Sequence, residues 1–342
     1  MNDLPGPVFP DDLKNQRILI AGGGGFIGGH LAADLLNRGC KNIVVADIKP
    51  MEQWYQIFSE NENHVADLTR EQECMRLVEG CDRIYNLACN MGGMGFIELN
   101  KALCMRSVLI NTHLLDAARH HNCKRLFFSS TACVYAADKQ LSSDVPALKE
   151  SDVYPAMPED GYGWEKLFSE RMCRHYMEDF DIQTRVARFH NVYGPYGTYD
   201  GGREKVPAAL CRKIITSKLS GDHQLEIWGD GEQTRSFMYI DDCIHGIHLI
   251  MESEEWNQPI NLGSSEMVSI NQLADIIEDL AGITLQRNYK LDAPKGVRGR
   301  SSDNTLIKEV FGWEPSISLR EGLEKTYEWI FEKISTGTAS LS

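Results

Sequence analysis

The apolar positions of this chain fall into short unbroken runs, separated by stretches of helical spacing. Ile18–Ala21 in "RILIAGGGG" reads as a buried strand. Phe26, Ile27, Leu31, Leu35 and Leu36 then recur at helical intervals, and Gly39 is placed to end that helix. "NIVVAD" is a second buried strand closing at Asp47, "RIYNLA" (Arg83–Ala88) a third, "RLFFSS" (Arg125–Ser130) a fourth and "TRVARF" (Thr184–Phe189) a later one. Helical patterns cover Asn100–His121 and Tyr162–Glu178. Strands alternating with helices predict βαβ units and a parallel, doubly wound α/β sheet. After residue 190 the texture changes. "HNVYGPYGTYDGGREK" reads as a long loop, and a helix (Pro207–Ser217), short strands and two late helices (Ser269–Leu280, Leu319–Ile334) make a smaller lobe. "SFMYIDDCIHGIHLIM" returns to the first unit. The expected division is 1–190 plus about 236–265 for the sheet domain, and about 191–235 plus 266–342 for the lobe.

The 342 residues suit about two domains with a substantial core. A net charge of −14 argues against general nucleic-acid binding and requires that any anionic ligand be held by cations gathered locally. The N-terminal "MNDLPGPVFPDDLKNQ" lacks the basic start and apolar stretch of a signal peptide. No apolar run approaches the ~18 residues that span a bilayer. The ten cysteines are scattered without C-x-x-C spacing, which reads as free thiols in a reducing cytoplasm. No metal site is expected: His245 and His248 share a helical face but have no third ligand nearby.

Gly22, Gly25 and Gly28 space the strand-to-helix turn as G-x-x-G-x-x-G. Such a turn, continuing into Phe26 and Ile27, brings backbone N–H groups and a helix N-terminus against a pyrophosphate. Asp47, at the end of the next strand, can accept hydrogen bonds from both adenosine ribose hydroxyls and would repel a 2′-phosphate. NAD is therefore expected in preference to NADP, on a Rossmann-type fold. Asp67 is a candidate adenine contact, and equally a helix N-cap before Leu68.

"YGWEK" puts Tyr162 and Lys166 on one helical face. A free tyrosine has a pKa of about 10, and an ammonium one turn away is expected to lower it, so that a phenolate can take an alcohol proton as its hydride leaves. Ser130 or Thr131 can hydrogen-bond the same alcohol. With the glycine turn and Asp47, these residues resemble the extended short-chain dehydrogenase/reductase superfamily over nearly the whole chain, and "HNVYGP" and "WGDGEQTRSFMYIDD" look like stretches of nucleotide-sugar epimerases and dehydratases.

Cys133, in "SSTACVY", occupies a position where the resembling dehydratases usually carry an acid. A buried cysteine is most often a small core residue. Beside Lys205 of "GGREK" it admits another role. A ketone at C4 of a hexose acidifies the C3 and C5 hydrogens, and a base on one face with an acid on the other can invert either carbon. A thiol of pKa about 8.5, brought toward neutrality by nearby positive charge, would be the base and the lysine ammonium the acid. The chain is similar to the GDP-mannose 3,5-epimerase family through "NMGGMGF", "SSTACVY", "YGWEK", "RFHNVYGPYGT", "GGREKVPAALCRK", "WGDGEQTRSF" and "GVRGRSSDN". That family usually has serine at Thr131. The resemblance implies redox chemistry at Tyr162 and Lys166, with Thr131 assisting, and proton transfer by Cys133 and Lys205. It implies sugar-nucleotide contacts at Gly92, Thr131, Ala132, Cys133, Asn191, Glu204, Lys205, Val206, Lys213, Gln233, Thr234, Arg235 and Arg300, with the two arginines on the pyrophosphate. It also implies a GDP-sugar substrate and a homodimer through the helices Asn100–His121 and Tyr162–Glu178. A UDP-sugar 4-epimerase, a dehydratase and a catalytically silent NAD-binding regulator are the alternatives.

Overall fold

The computed structural model describes residues 9, 10, 12–293 and 296–337. Residues 1–8, on which the reading of the N-terminus largely rests, lie outside the described residues. The central sheet is built from β1 (Arg17–Ala21), β2 (Asn42–Asp47), β3 (Glu62–Val65), β4 (Arg83–Asn86), β5 (Arg125–Thr131) and β6 (Gln183–Phe189). Short strands follow: β7 (Val192–Tyr193), β8 (Gln224–Trp228), β9 (Thr234–Ser236), β10 (Met238–Tyr239), β11 (Ile260–Leu262), β12 (Met267–Ser269), β13 (Gln286–Lys290) and β14 (Gly299–Arg300). Seven strands form one sheet in the order β11-β6-β5-β4-β1-β2-β3, every pair parallel. The order reverses at β1, between β2 and β4, and the crevice at the strands' carboxyl ends there is where such folds place ligands.

Alternation along the strands divides the core. Ile18 and Ile20 face one side with α1 (Phe26–Asn37), and Leu19 and Ala21 face the other with α2 (Glu71–Val78). Between β4 and β5 come α3 (Met94–Leu99), α4 (Lys101–Met105) and α5 (Val108–His120); α6 (Tyr162–Phe180), between β5 and β6, packs on α5. The lobe gathers α7 (Val206–Ser220), α9 (Ile270–Ala281) and α11 (Leu319–Ser335), while α8 (Ile240–Glu252) packs on α1, and α10 (Thr305–Phe311) lies against β11. The apolar core on the α1 side runs without interruption into this lobe, through Leu210, Ile214, Leu273, Ile277, Leu323 and Ile330.

Two elements differ from the expected pattern, and the two histidines of α8 find separate partners. The single helix over Asn100–His121 is broken into parts of α4 and α5, with Asn100 and Arg106–Ser107 between helices. The Ser107 hydroxyl there accepts the Asn90 backbone N–H at 2.9 Å, so the break lets the helical segment meet the loop after β4. β3 escaped the pattern because "ENHV" is polar; it is an edge strand that pairs only with β2. His245 and His248 part company: His248 Nε2 lies 2.7 Å from Asp34 Oδ2, and the His245 ring packs 4.8 Å from that of Trp313.

A buried charge pair ties β5, β6 and α6 together. Arg188 donates from Nε and Nη2 to the Glu170 carboxylate at 2.9 and 2.8 Å, and the Ser130 hydroxyl donates to the same carboxylate at 2.5 Å. Both side chains are at most 4% exposed. Removing one partner from a buried pair leaves an uncompensated charge, so Glu170→Ala is expected to destabilise the fold by about 3–5 kcal/mol. Denaturant unfolding checks this; an unchanged midpoint would show that the pair does not hold the strands.

Candidate active site

The glycine turn closes around backbone. Gly22 has φ +82°, and a Cβ there would lie 2.8 Å from the Ala88 nitrogen at the end of β4. A Cβ on Gly28 would lie 2.4 Å from the Gly22 oxygen, so the third glycine lets α1 start tight against the turn. Gly25 is the N-cap of α1 with no side-chain cap, which leaves the first helical N–H groups, from Phe26 and Ile27 onward, without a side-chain acceptor. A Cβ on Gly25 would point toward the Asp47 carboxylate, at 3.9 Å from Oδ2. Asp47 is 8% exposed, and burial raises its carboxyl above the usual range against the hydrogen bond from the Lys49 N–H at 3.0 Å. Bare helix N–H groups beside an acid, separated by a cradle that any side chain would fill, fit the pyrophosphate and ribose of a dinucleotide. The Phe26 ring turns to the loop after β7, against Gly194 and Gly197, and Ile27 borders the core. Asp67 caps a turn rather than a helix: its Oδ1 accepts from the Thr69 N–H and hydroxyl at 3.1 and 2.7 Å, and α2 begins at Glu71.

The second cluster lies at the carboxyl ends of β4 and β5. Tyr162 opens α6 and packs with Ile97, Cys104 and Cys133 beneath Cys89, Met91 and Phe96. Lys166, 1% exposed, donates to the Ser129 carbonyl at 2.9 Å, with its ammonium 4.6 Å from the Phe128 ring centroid. Ser130 is committed to Glu170, so Thr131 is the hydroxyl that meets Tyr162. Thr131 Oγ1 also accepts the Cys133 N–H at 3.3 Å, which folds residues 132–134, Ala132 included, into a single buried 3₁₀ turn.

The electrostatics correct two expectations. Burial raises the Tyr162 phenol well above 10, and the Cys89 and Cys133 thiols and Glu165 push in the same direction. Lys166 does not overcome this, because its ammonium lies 5.8 Å from the ring centroid and is bonded to Ser129. The Cys133 thiol is likewise raised, first by burial and then by Glu159; Arg300, with Nη1 3.5 Å from Sγ, opposes them and loses. Lys205 is the N-cap of α7, and burial lowers its ammonium below 10.5 while the Cys133 and Cys89 thiols act to raise it.

The structure brings Tyr162, Lys166, Thr131, Cys133, Lys205 and Arg300 into one neighbourhood. Other expected contacts are engaged elsewhere. Arg300 binds Glu159 and the Gln140 side chain, the latter at 2.6 Å, so its guanidinium serves the Cys133 turn rather than standing open to a pyrophosphate. Arg235 donates to the Thr234 and Val297 carbonyls, and burial and Arg300 lower it to about 10. Asn191 donates to the Ser236 carbonyl, and Thr234 to that of Ser143. Glu204 accepts from the Gly202 N–H and from Arg212. Val206 is 39% exposed at the start of α7. Lys213 bonds Glu226 beside a surface groove of about 630 Å³. Gln233 donates to the Trp228 carbonyl, and its buried Oε1 has no hydrogen-bond partner among the described residues. A Cβ on Gly92 would lie 2.9 Å from that of Phe96, so this glycine serves packing within its loop. Sequence reasoning missed Glu159, Gln140 and Cys89. Glu159 stands three residues before Tyr162, but its meeting with Arg300 spans 141 residues and has no local signal.

These observations define a dinucleotide turn and a Tyr–Lys pair on one doubly wound sheet. Residues 18–263 match the NAD dependent epimerase/dehydratase family, and the chain belongs to it. It is 47% identical to GDP-mannose 3,5-epimerase 1 of Oryza sativa subsp. japonica and 45% identical to GDP-mannose 3,5-epimerase of Arabidopsis thaliana, in each case over 94% of this chain and 83% or 84% of the relative. The crystal structure of UDP-glucose 4-epimerase from Thermotoga maritima with UDP-glucose superposes with a TM-score of 0.84 at 25% identity, over 93% of this chain and 99% of that one.

Glu159 holds the Cys133 thiol up, so Glu159→Gln removes a charge that opposes the thiolate. The ascending limb of the pH–activity profile is expected to move to lower pH; a limb that stays or moves up would show that Cys133 does not set it.

Proposed function

We propose that the chain is a GDP-mannose 3,5-epimerase, converting GDP-D-mannose to GDP-L-galactose, with GDP-L-gulose as the product of inversion at C5 alone. The observation that carries this is the thiol of Cys133, set in one buried turn with Thr131 against Tyr162, and coupled electrostatically to Lys205 from the start of α7. A plain 4-epimerase needs neither the thiol nor the lysine. NAD, when bound, would supply reversible hydride acceptance at C4 of the hexose, so that no net oxidation would occur. Gly22, Gly25, Phe26, Ile27, Gly28 and Asp47 would hold that cofactor, and Lys166 would orient it.

The chain's own groups move the protons. Tyr162, hydrogen-bonded by Thr131, takes the C4 hydroxyl proton in its phenolate form, which burial disfavours and which depends on the Lys166 cation one turn away. The resulting ketone loosens the C–H bonds at C3 and C5. Cys133 Sγ removes a proton from one face of the carbon and Lys205 Nζ delivers one to the other, inverting it. Because burial disfavours both charged forms, thiolate and ammonium are most stable as a mutual pair, with Arg300 as a second cation near the sulfur. Gln233, whose buried carbonyl oxygen lacks a partner among the described residues, offers an acceptor to the nucleotide sugar. All ten cysteines are free, which suits a reducing, cytoplasmic setting. Leu99, Leu103, Met105, Trp164 and Phe168 are exposed on α3, α4 and α6 and support a homodimer through that face.

With GDP-mannose, the purified protein is expected to yield galactose and gulose after acid hydrolysis; unchanged mannose with turnover of a UDP-sugar would overturn the reading, as would no turnover of either. In heavy water each inverted carbon should carry one deuteron, and unlabelled inverted sugar would exclude the proton-exchange scheme. Cys133→Ala should keep its NAD affinity in a binding titration while losing product formation by about 10³-fold or more. Near-normal activity would remove the thiol from the mechanism.

A further inference from the structure

Two loops from distant parts of the chain meet over the catalytic cluster. One follows β4 and runs from Cys89 through Gly93 into α3. The other, Gly201–Lys205, leads into α7. The Gly93 N–H donates to the Arg203 carbonyl at 3.1 Å. Arg203 Nη1 donates to Asn90 Oδ1 at 3.0 Å and to the Met91 carbonyl at 3.3 Å. The same guanidinium lies 3.9 Å from the centroid of the Phe96 ring. A Cβ on Gly93 would lie 2.6 Å from the Glu204 oxygen, and one on Gly92 3.3 Å from the Arg203 Cα, so the two glycines are what allow backbone to press on backbone here. Asn90 is itself anchored, by its N–H on the Ser107 hydroxyl.

Read from charge alone, Arg203 belongs with the cations that could gather an anionic ligand. The contacts give its guanidinium two carbonyl-type acceptors and an aromatic face, all from the opposite loop. Two residues further on stands Lys205, whose backbone caps α7. The first loop covers Tyr162 and Cys133.

We propose that Arg203 and Asn90 form a clasp that positions Lys205: by fixing the Gly201–Lys205 loop on the loop after β4, it sets where the ammonium stands relative to Cys133. The proposal rests on the reading of Lys205 as proton donor. Arg203 is a positioning residue and touches neither substrate nor reacting atoms. Its side chain is exposed, so its loss leaves the core intact. Misplacement of a catalytic group by about 1 Å can cost up to about 10²-fold in rate.

The test is a double-mutant cycle on the cofactor-loaded protein, with kcat, KM and melting temperature measured for each variant. Arg203→Ala and Asn90→Ala should each lower kcat about tenfold, with KM changed less than about threefold and melting temperature unchanged. The double variant should be no worse than the poorer single, because both remove one contact. Arg203→Lys, which can still reach Asn90 Oδ1, should recover part of the loss. A rise in KM at Arg203→Ala with Asn90→Ala unaffected would make Arg203 a ligand contact and overturn the clasp. Additive losses, or full activity in both singles, would also overturn it. Lys205→Met separates the two claims. If it is inactive while the clasp variants are normal, only the clasp fails. If it is fully active, the proton-donor reading fails and the clasp with it.

Discussion

The bond from the Lys166 ammonium to the Ser129 carbonyl sets the register of the whole site. It runs from the first turns of α6 to the last residues of β5, and these two elements, with the turn after β5, carry the candidate reactive groups other than Lys205. Tyr162 lies one turn before Lys166 on the helix, Thr131 lies just beyond Ser129 at the end of the strand, and Cys133 sits in the turn that follows. A slip of one residue in either element would turn Tyr162 away from Thr131. The Arg188–Glu170 pair ties α6 to the neighbouring β6 farther back, and it also takes the Ser130 hydroxyl of β5 out of contention. The selection of Thr131 over Ser130 is thus made by a charge pair behind the site.

Burial dominates the chemistry of this cluster. The Tyr162 phenol, the Cys133 thiol and the Lys205 ammonium are each held in the direction of the neutral form, because burial leaves them little solvent. Such groups are weak acids and bases individually and effective as partners: the charge that appears on one is tolerated when its opposite appears close by. Glu159 and Arg300 pull the sulfur in contrary directions, so a small movement of either rebalances it. The overall negative charge of the chain matters less than these nearest neighbours.

The sheet was legible from the sequence because its central strands are buried on both faces and read as unbroken apolar runs. β3 was not, because an edge strand with a polar sequence leaves no such run. The glycine turn, Asp47, Tyr162, Lys166 and Cys133 were legible because each lies at a strand end or helix start that the pattern locates. The titration of Tyr162 and Cys133 was misjudged, since spacing along a helix reports which charges are near and says nothing of how much water remains. Arg300 was assigned to phosphate through the family resemblance; the carboxylate that engages it comes from a segment far away in sequence. The loop contacts of Arg203 were hidden for the same reason.

The late position of β11 has a consequence for synthesis on the ribosome. β6 pairs with β5 on one side and with Ile260–Leu262 on the other, and the residues between β6 and β11 include α7, β8 and α8. At roughly 5–20 residues per second, β6 waits several seconds with one row of N–H and C=O groups unpaired while that stretch emerges. During that interval the nascent chain offers an open strand edge to whatever is near, and the first subunit to be finished is the first to be safe from its neighbours on the same message.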